Sequence, residues 1–313
     1  MNLLAFIFPG QGSQAIGMAK TLIESYSEAK SVFEEANDSV GFDITKMVIE
    51  GPEESLNKTE NTQPAILTAS IAALRVFEKE IGAKPAYVAG HSLGEFTALV
   101  AAGAMDFKTA VKLVNLRGKF MQESVPEGMG KMCAVIGLDV DTVRQICSEA
   151  SKGDSIVVAA NINSPEQIVM SGSSVAVEQA AVMAKDKGAK RTLMLPVSVP
   201  SHSPLMKKAA EQLEGELNSI ELKDLTIPVI TNVEAVPVSE ASKIKPLLKA
   251  QLEMPVRWVD IVTKMGELGV EGTVEIGPGK VLTGLNRRIN KELKGSNFGE
   301  ASDLDSVKEF LAS

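Results

Sequence analysis

Cysteine, histidine and aromatic side chains are scarce in this chain. Its 313 residues include two Cys, two His, one Trp and two Tyr. Cys133 falls in an apolar strand-like run and Cys147 in a helical one, which suits two reduced thiols rather than a disulfide framework. With His91 and His202 as the only histidines, no cluster has zinc-ligand spacing, and neither a metal nor another cofactor is expected. No run approaches the roughly 18 apolar residues of a membrane span. No Lys or Arg precedes the first apolar run, so the start does not read as a secretory signal. A formal net charge of −8 argues against broad binding to nucleic acid or anionic lipid. The expectation is a cytoplasmic monomer with neither kind of partner.

What is present is an alternation of strand-like and helical segments, the mark of an α/β protein. Leu3 to Phe8 reads as a buried strand, broken by Pro9. Helical patterns follow around 15–37 and from Gln63 to Ile81. "AYVAG" (86–90) reads as a short strand, and 93–104 and 106–124 as helices. Then the rhythm changes. Residues 131–138, 155–161, 166–172 and 189–199 read as strands, with helices at 139–150 and 174–188. That β-α-β-β-α-β order is the ferredoxin-like unit. Beyond it come a helix over 203–218, a strand over 227–232, helices around 240–268, a strand over 272–277 and a helix over 280–290. The simplest organisation is a large α/β domain over 1–127 and 200–313, interrupted by a ferredoxin-like insert over 128–199. A cleft between two such domains is a natural substrate site.

Two glycine-rich turns imitate nucleotide loops. Gly10-Gln11-Gly12-Ser13-Gln14-Ala15 fits G-x-G-x-x-A. A dinucleotide site also needs an acidic residue closing a second strand, roughly 20 positions on. The candidates Glu34 and Glu35 lie instead in a polar, helical stretch. "GPGKV" (277–281) lacks the Ser or Thr after Lys280 and the earlier glycine of a phosphate loop. The first turn reads instead as one that lets backbone donors approach a reacting oxygen.

Gly90-His91-Ser92-Leu93-Gly94 is G-x-S-x-G between an expected strand and an expected helix, the setting of a nucleophile elbow. Ser92 is therefore a candidate nucleophile, although the same residue could serve only as the helix N-cap. A serine nucleophile requires a base. His91 is its neighbour at a turn where adjacent side chains diverge, and more naturally packs or bonds within the turn. That leaves His202, whose place at a helix start should disfavour the imidazolium.

In the helix from Asp106, Phe107, Ala110, Val111, Val114, Gly118 and Met121 form an apolar stripe. Arg117 shares that stripe. A core-facing guanidinium demands a partner: either an internal acid or the carboxylate of a ligand, held by two parallel hydrogen bonds.

These stretches also occur together in a known order. "FPGQGSQ" (8–14), "TQPA" (62–65), "GHSLGE" (90–95), "RGKFMQ" (117–122), "VPSH" (199–202), "QLEMPVRW" (251–258) and "EIGPGKVL" (275–282) span nearly the whole chain. The sequence resembles the malonyl-CoA:acyl carrier protein transacylases of bacterial fatty acid synthesis. The resemblance implies an α/β-hydrolase-like large domain with a ferredoxin-like insert. It implies that malonyl-CoA and acyl carrier protein are the partners, and that Ser92 and His202 act as a dyad. It further implies that the Gln251 backbone carbonyl orients His202, that Arg117 holds the malonyl carboxylate, and that the N–H groups of Gln11 and Leu93 form the oxyanion hole.

The competing expectation is a serine esterase or thioesterase of the α/β-hydrolase type. That enzyme would need an Asp or Glu between serine and histidine in chain order. Asp106, Asp141 and Asp154 are available without a supporting motif. An acidic carrier protein would also need a local basic surface on this acidic chain. Lys185, Lys187, Lys190 and Arg191 are one candidate; Arg287, Arg288 and Lys291 are another.

Overall fold

The computed structural model describes residues 3–197 and 199–313. Its strands, in chain order, are β1 (Leu4–Phe8), β2 (Tyr87–Gly90), β3 (Gly130–Ile136), β4 (Val157–Ser164), β5 (Gln167–Ser173), β6 (Arg191–Met194), β7 (Val229–Ile230), β8 (Pro237–Val238), β9 (Gly272–Ile276) and β10 (Lys294–Phe298). They form a six-stranded sheet of order β10-β9-β1-β2-β7-β8 and a four-stranded sheet of order β4-β5-β3-β6.

The larger sheet is parallel apart from β8. β1 lies at its centre, apolar on both faces and buried from Ala5 onward, as a parallel strand covered by helices on both sides must be. One face packs against the helices Ser27–Val40, Thr59–Glu80 and Phe107–Ser124, the other against Trp258–Glu267 and Val281–Ile289. Phe8 is in register with Gly90, and Ala89 with Ile230. The turns after β1, β2 and β7 therefore open side by side at one carboxyl edge, where α/β sheets place their ligands.

The smaller sheet is antiparallel throughout. The helices Val140–Ala150 and Ser174–Asp186 cover one face, over a core that includes Cys133, Val135, Ile168 and Met170. Side chains alternate across a strand, so Met132, Ala134 and Val169 point the other way and cluster with Leu195 and Val197. The two sheets meet through Val256, whose N–H donates to Ala160 O at 2.9 Å and whose carbonyl accepts from Ile162 N–H at 2.9 Å. Both cysteines are buried and free. Among the described residues no helix is long and apolar enough to cross a membrane.

Some element boundaries differ from the sequence expectation. The helix expected over 15–37 starts at Lys20 and breaks at Tyr26 into Lys20–Ser25 and Ser27–Val40. The strand expected over 189–199 is a strand only over Arg191–Met194; Pro196 has no N–H to extend the ladder, and residue 198 lies outside the described residues. The strand expected over 227–232 shrinks to Val229–Ile230.

Candidate active site

The turn after β2 is tight. A Cβ on Gly90 would fall 1.9 Å from the Gly94 carbonyl, and one on Gly94 would fall 2.1 Å from Phe8 O. Both glycines are therefore dictated by close backbone approach. Between them Ser92 adopts φ 51°, a left-handed conformation that costs a residue with a Cβ on the order of 1 kcal/mol. Asn232, just beyond β7, clamps the turn from both sides. Its Oδ1 accepts from Ser92 N–H at 2.7 Å, and its Nδ2 donates to Gly90 O at 2.6 Å.

His202, 110 positions away in sequence, reaches the same turn: Nε2 lies 2.8 Å from Ser92 Oγ. Its Nδ1 lies 2.7 Å from the Gln251 backbone oxygen. A carbonyl only accepts, so Nδ1 carries the proton and Nε2 is left to accept from the Ser92 hydroxyl. Burial first, and the Arg117 cation second, push the imidazole pKa down to about 3. The expected helix-terminus effect is not the cause. Pro204–Met206 is a 3₁₀ turn, and the regular helix begins only at Lys207.

Arg117 is 1% exposed. Its Nη1 donates to Gln63 Oε1 at 2.6 Å, and its Nη2 to Gln251 Oε1 at 2.9 Å and to Ser92 Oγ at 3.3 Å. The guanidinium carbon sits 5.4 Å from the centre of the Phe96 ring, and Nε has no partner among the described residues. Neutral amides thus hold Arg117; the internal ion pair does not form among the described residues. Burial lowers its pKa to about 10, with Glu95 opposing the shift, which leaves it cationic at neutral pH. Glu95 itself is buried, and burial raises its carboxyl to about 7.

Gln11 and Leu93 border the same cavity, about 150 Å³, as Ser92, Arg117 and His202. Among the described residues neither of their backbone N–H groups is committed to an acceptor. The small sheet walls the cavity with Met132 and Val169, and the chain just beyond β6 adds Leu195 and Val197. Within the turn the His91 carbonyl accepts from Gly94 N–H at 2.9 Å, while its side chain points out of it. Its Nε2 reaches Asn163 Oδ1 on β4 at 2.8 Å, beside the Trp258 ring, and burial lowers its pKa. Asp106 caps its own helix through Thr109, and Asp141 pairs with Arg144 at 3.3 Å. Asp154 is exposed. Among the described residues no carboxylate bonds to His202.

The sequence reading missed Asn232, Glu95, Gln63 and the side chain of Gln251. The two basic clusters converge on the turn between β4 and β5, where Lys190 meets Glu166 at 2.9 Å and Arg288 meets Gln167 at 2.9 Å.

Comparison with known proteins agrees with this arrangement. Residues 5–303 match the family model described as an acyl transferase domain. The malonyl CoA-acyl carrier protein transacylase of Haemophilus influenzae is 48% identical over 312 residues, covering 99% of this chain and 100% of that one. The Escherichia coli K12 protein of the same name is 48% identical over 309 residues, again 99% and 100%. Among solved structures, an acyl carrier protein S-malonyltransferase from Vibrio cholerae superposes with a TM-score of 0.94 at 50% identity, covering 97% of this chain and 99% of that one. A malonyl-transacylase in complex with a type II acyl-carrier protein gives a TM-score of 0.96 at 46% identity, covering 99% and 100%. On full-length likeness of both sequence and fold, the chain belongs to the acyl transferase domain family, among the malonyl CoA-acyl carrier protein transacylases.

Proposed function

We propose that this protein transfers a malonyl group from CoA to the phosphopantetheine thiol of an acyl carrier protein, through a malonyl ester on Ser92, in the cytoplasmic synthesis of fatty acids. The observation that carries the reading is one constellation: Ser92 Oγ lies 2.8 Å from His202 Nε2 and 3.3 Å from Arg117 Nη2. We read the framework as an α/β-hydrolase-like domain with a ferredoxin-like insert; the strand order of the small sheet supports this.

In the first half-reaction Ser92 Oγ attacks the thioester carbonyl carbon while its proton passes to His202 Nε2. The carbonyl oxygen gathers negative charge and is received by the N–H groups of Gln11 and Leu93. Losing one such donor typically costs about 10²–10³ in rate. The tetrahedral intermediate collapses, the C–S bond breaks, and the departing sulfur takes the proton from His202. The carrier thiol then enters and the same steps run backwards. The Gln251 carbonyl keeps the Nδ1 proton in place, so Nε2 always faces the reaction.

Arg117 supplies the selectivity. The malonyl carboxylate gives its guanidinium a charged partner, whereas an acetyl group leaves a buried cation as it was. A cavity of about 150 Å³ suits a three-carbon acyl group better than a long chain. Negative charge at Arg117 also relieves the pressure that this cation exerts on the imidazolium. Docking of an acidic carrier is assigned to the basic clusters flanking the β4–β5 turn.

The test is intact mass after mixing with malonyl-CoA and no acceptor. One malonyl adduct on wild type and none on Ser92→Ala is the expected result. Continuous CoA release without acceptor would mark a hydrolase instead.

A further inference from the structure

Glu95 is a buried acid beside the dyad, and the steps above make no use of it. It is 2% exposed and lies three residues beyond Ser92. Its carboxylate accepts from Gln251 Nε2 at 2.5 Å, and Asn232 N–H faces it at 3.4 Å from each oxygen. Among the described residues no cation comes within ion-pair distance of it. A carboxylate removed from water is costly unless positive charge compensates it. The nearby cation is Arg117, and the group between the two is the Gln251 side chain.

That side chain has one workable orientation. Nε2 donates to Glu95 and, at 3.0 Å, to Ser92 O; Oε1 accepts from Arg117 Nη2 at 2.9 Å. Turning the amide over would set its NH₂ against the guanidinium and its oxygen against the carboxylate. The acid therefore fixes the amide, and the amide fixes the guanidinium. An acid suits this position better than an amide would. Oε2 accepts from Gln251, and Asn232 N–H is shared between the two oxygens, whereas a glutamine would set an NH₂ against the Asn232 N–H.

We propose that Glu95 is a positioning residue for the acyl carboxylate: acting through the Gln251 amide, it holds Arg117 in the orientation that receives a malonyl group. The proposal rests on the role of Arg117 given above. It makes the acyl selectivity of the enzyme depend on a residue that touches neither acyl group nor CoA.

The experiment measures kcat and KM with malonyl-CoA and acetyl-CoA for wild type, Glu95→Gln, Glu95→Asp, Gln251→Ala, the Glu95→Gln/Gln251→Ala double variant and Arg117→Ala. Glu95→Gln lowers the malonyl-to-acetyl ratio of kcat/KM about tenfold, chiefly through the malonyl KM. Glu95→Asp, which keeps both acceptors, retains a ratio nearer wild type. The double variant discriminates no worse than Gln251→Ala alone, because the two residues act in series. A Glu95→Gln enzyme in which both substrates lose equally would reduce Glu95 to a support of the elbow and overturn the proposal. Additive losses in the double variant would overturn it too. If Arg117→Ala leaves the ratio unchanged, the carboxylate role of Arg117 falls and this proposal with it. If Arg117→Ala collapses the ratio and Glu95→Gln does not, only the role of Glu95 falls.

Discussion

The two sheets are built to different standards. The carboxyl edge of the parallel sheet gathers a serine at φ 51° and faces a histidine at φ 59°; Arg117, Glu95 and His202 lie buried around them. The antiparallel sheet and its helices enclose Cys133, Val135, Ile146, Ile168 and Met170, and among the described residues none of their buried side chains is charged. To the cavity it sends two amides, Asn161 and Asn163, and an apolar wall. The first region accepts strain and desolvation because reacting groups need them. The second is an ordinary core that excludes water from the first. Reactivity and cover are thus separated by sheet.

That separation can be broken or sharpened by substitution. The largest effect is expected at Arg117. Arg117→Ala should cost malonyl transfer about 2–5 kcal/mol in kcat/KM, the scale of stripping a buried charge of its partner, and should cost acetyl transfer far less. Equal losses measured with the two acyl-CoA substrates would remove the carboxylate role. Next comes Asn232→Ala, which frees Ser92 N–H and Gly90 O. A penalty of about 1–3 kcal/mol should divide between the melting temperature and the single-turnover acylation rate. An unchanged acylation rate would mean that the elbow holds its shape without the clamp. The smallest effect on catalysis is expected from Ile168→Val in the antiparallel sheet. It should lower the unfolding free energy by about 0.5–1.5 kcal/mol, read from the denaturant midpoint, and leave the acylation rate alone. A rate loss there would show that the small sheet does more than cover.

The sequence made some of this legible and hid the rest for physical reasons. G-x-S-x-G is readable because the turn itself demands its glycines: each Cβ clash at Gly90 and Gly94 involves backbone a few residues away or on the neighbouring strand. Arg117 is readable because a charge on an apolar helical stripe breaks a local pattern. Asn232 breaks no pattern, and Glu95, the single charge in 93–104, passes for an ordinary first-turn acid at a helix start. Their meaning lies in bonds such as Asn232 Oδ1 to Ser92 N–H across 140 positions, and only the parallel register of β2 and β7 creates them. Among strands, β10 was invisible because "KGSNF" carries little apolar character at the sheet edge. β8 was too short, at two residues, to show periodicity. The β-α-β-β-α-β order stands out because its two helices and first three strands carry apolar residues in regular positions; the last strand, β6, is mostly exposed.

The group behind His202 is an uncharged carbonyl oxygen, 2.7 Å from Nδ1. The carbonyl dipole offsets only part of what burial and the Arg117 cation take from the imidazolium, so an imidazolium formed there surrenders its proton readily. Such a weak base suffices for a thiol, whose ordinary pKa is about 8.5. On the proposed mechanism the ring can then hand its proton to a departing sulfur without a second acid, one backbone oxygen standing where a triad would place a carboxylate.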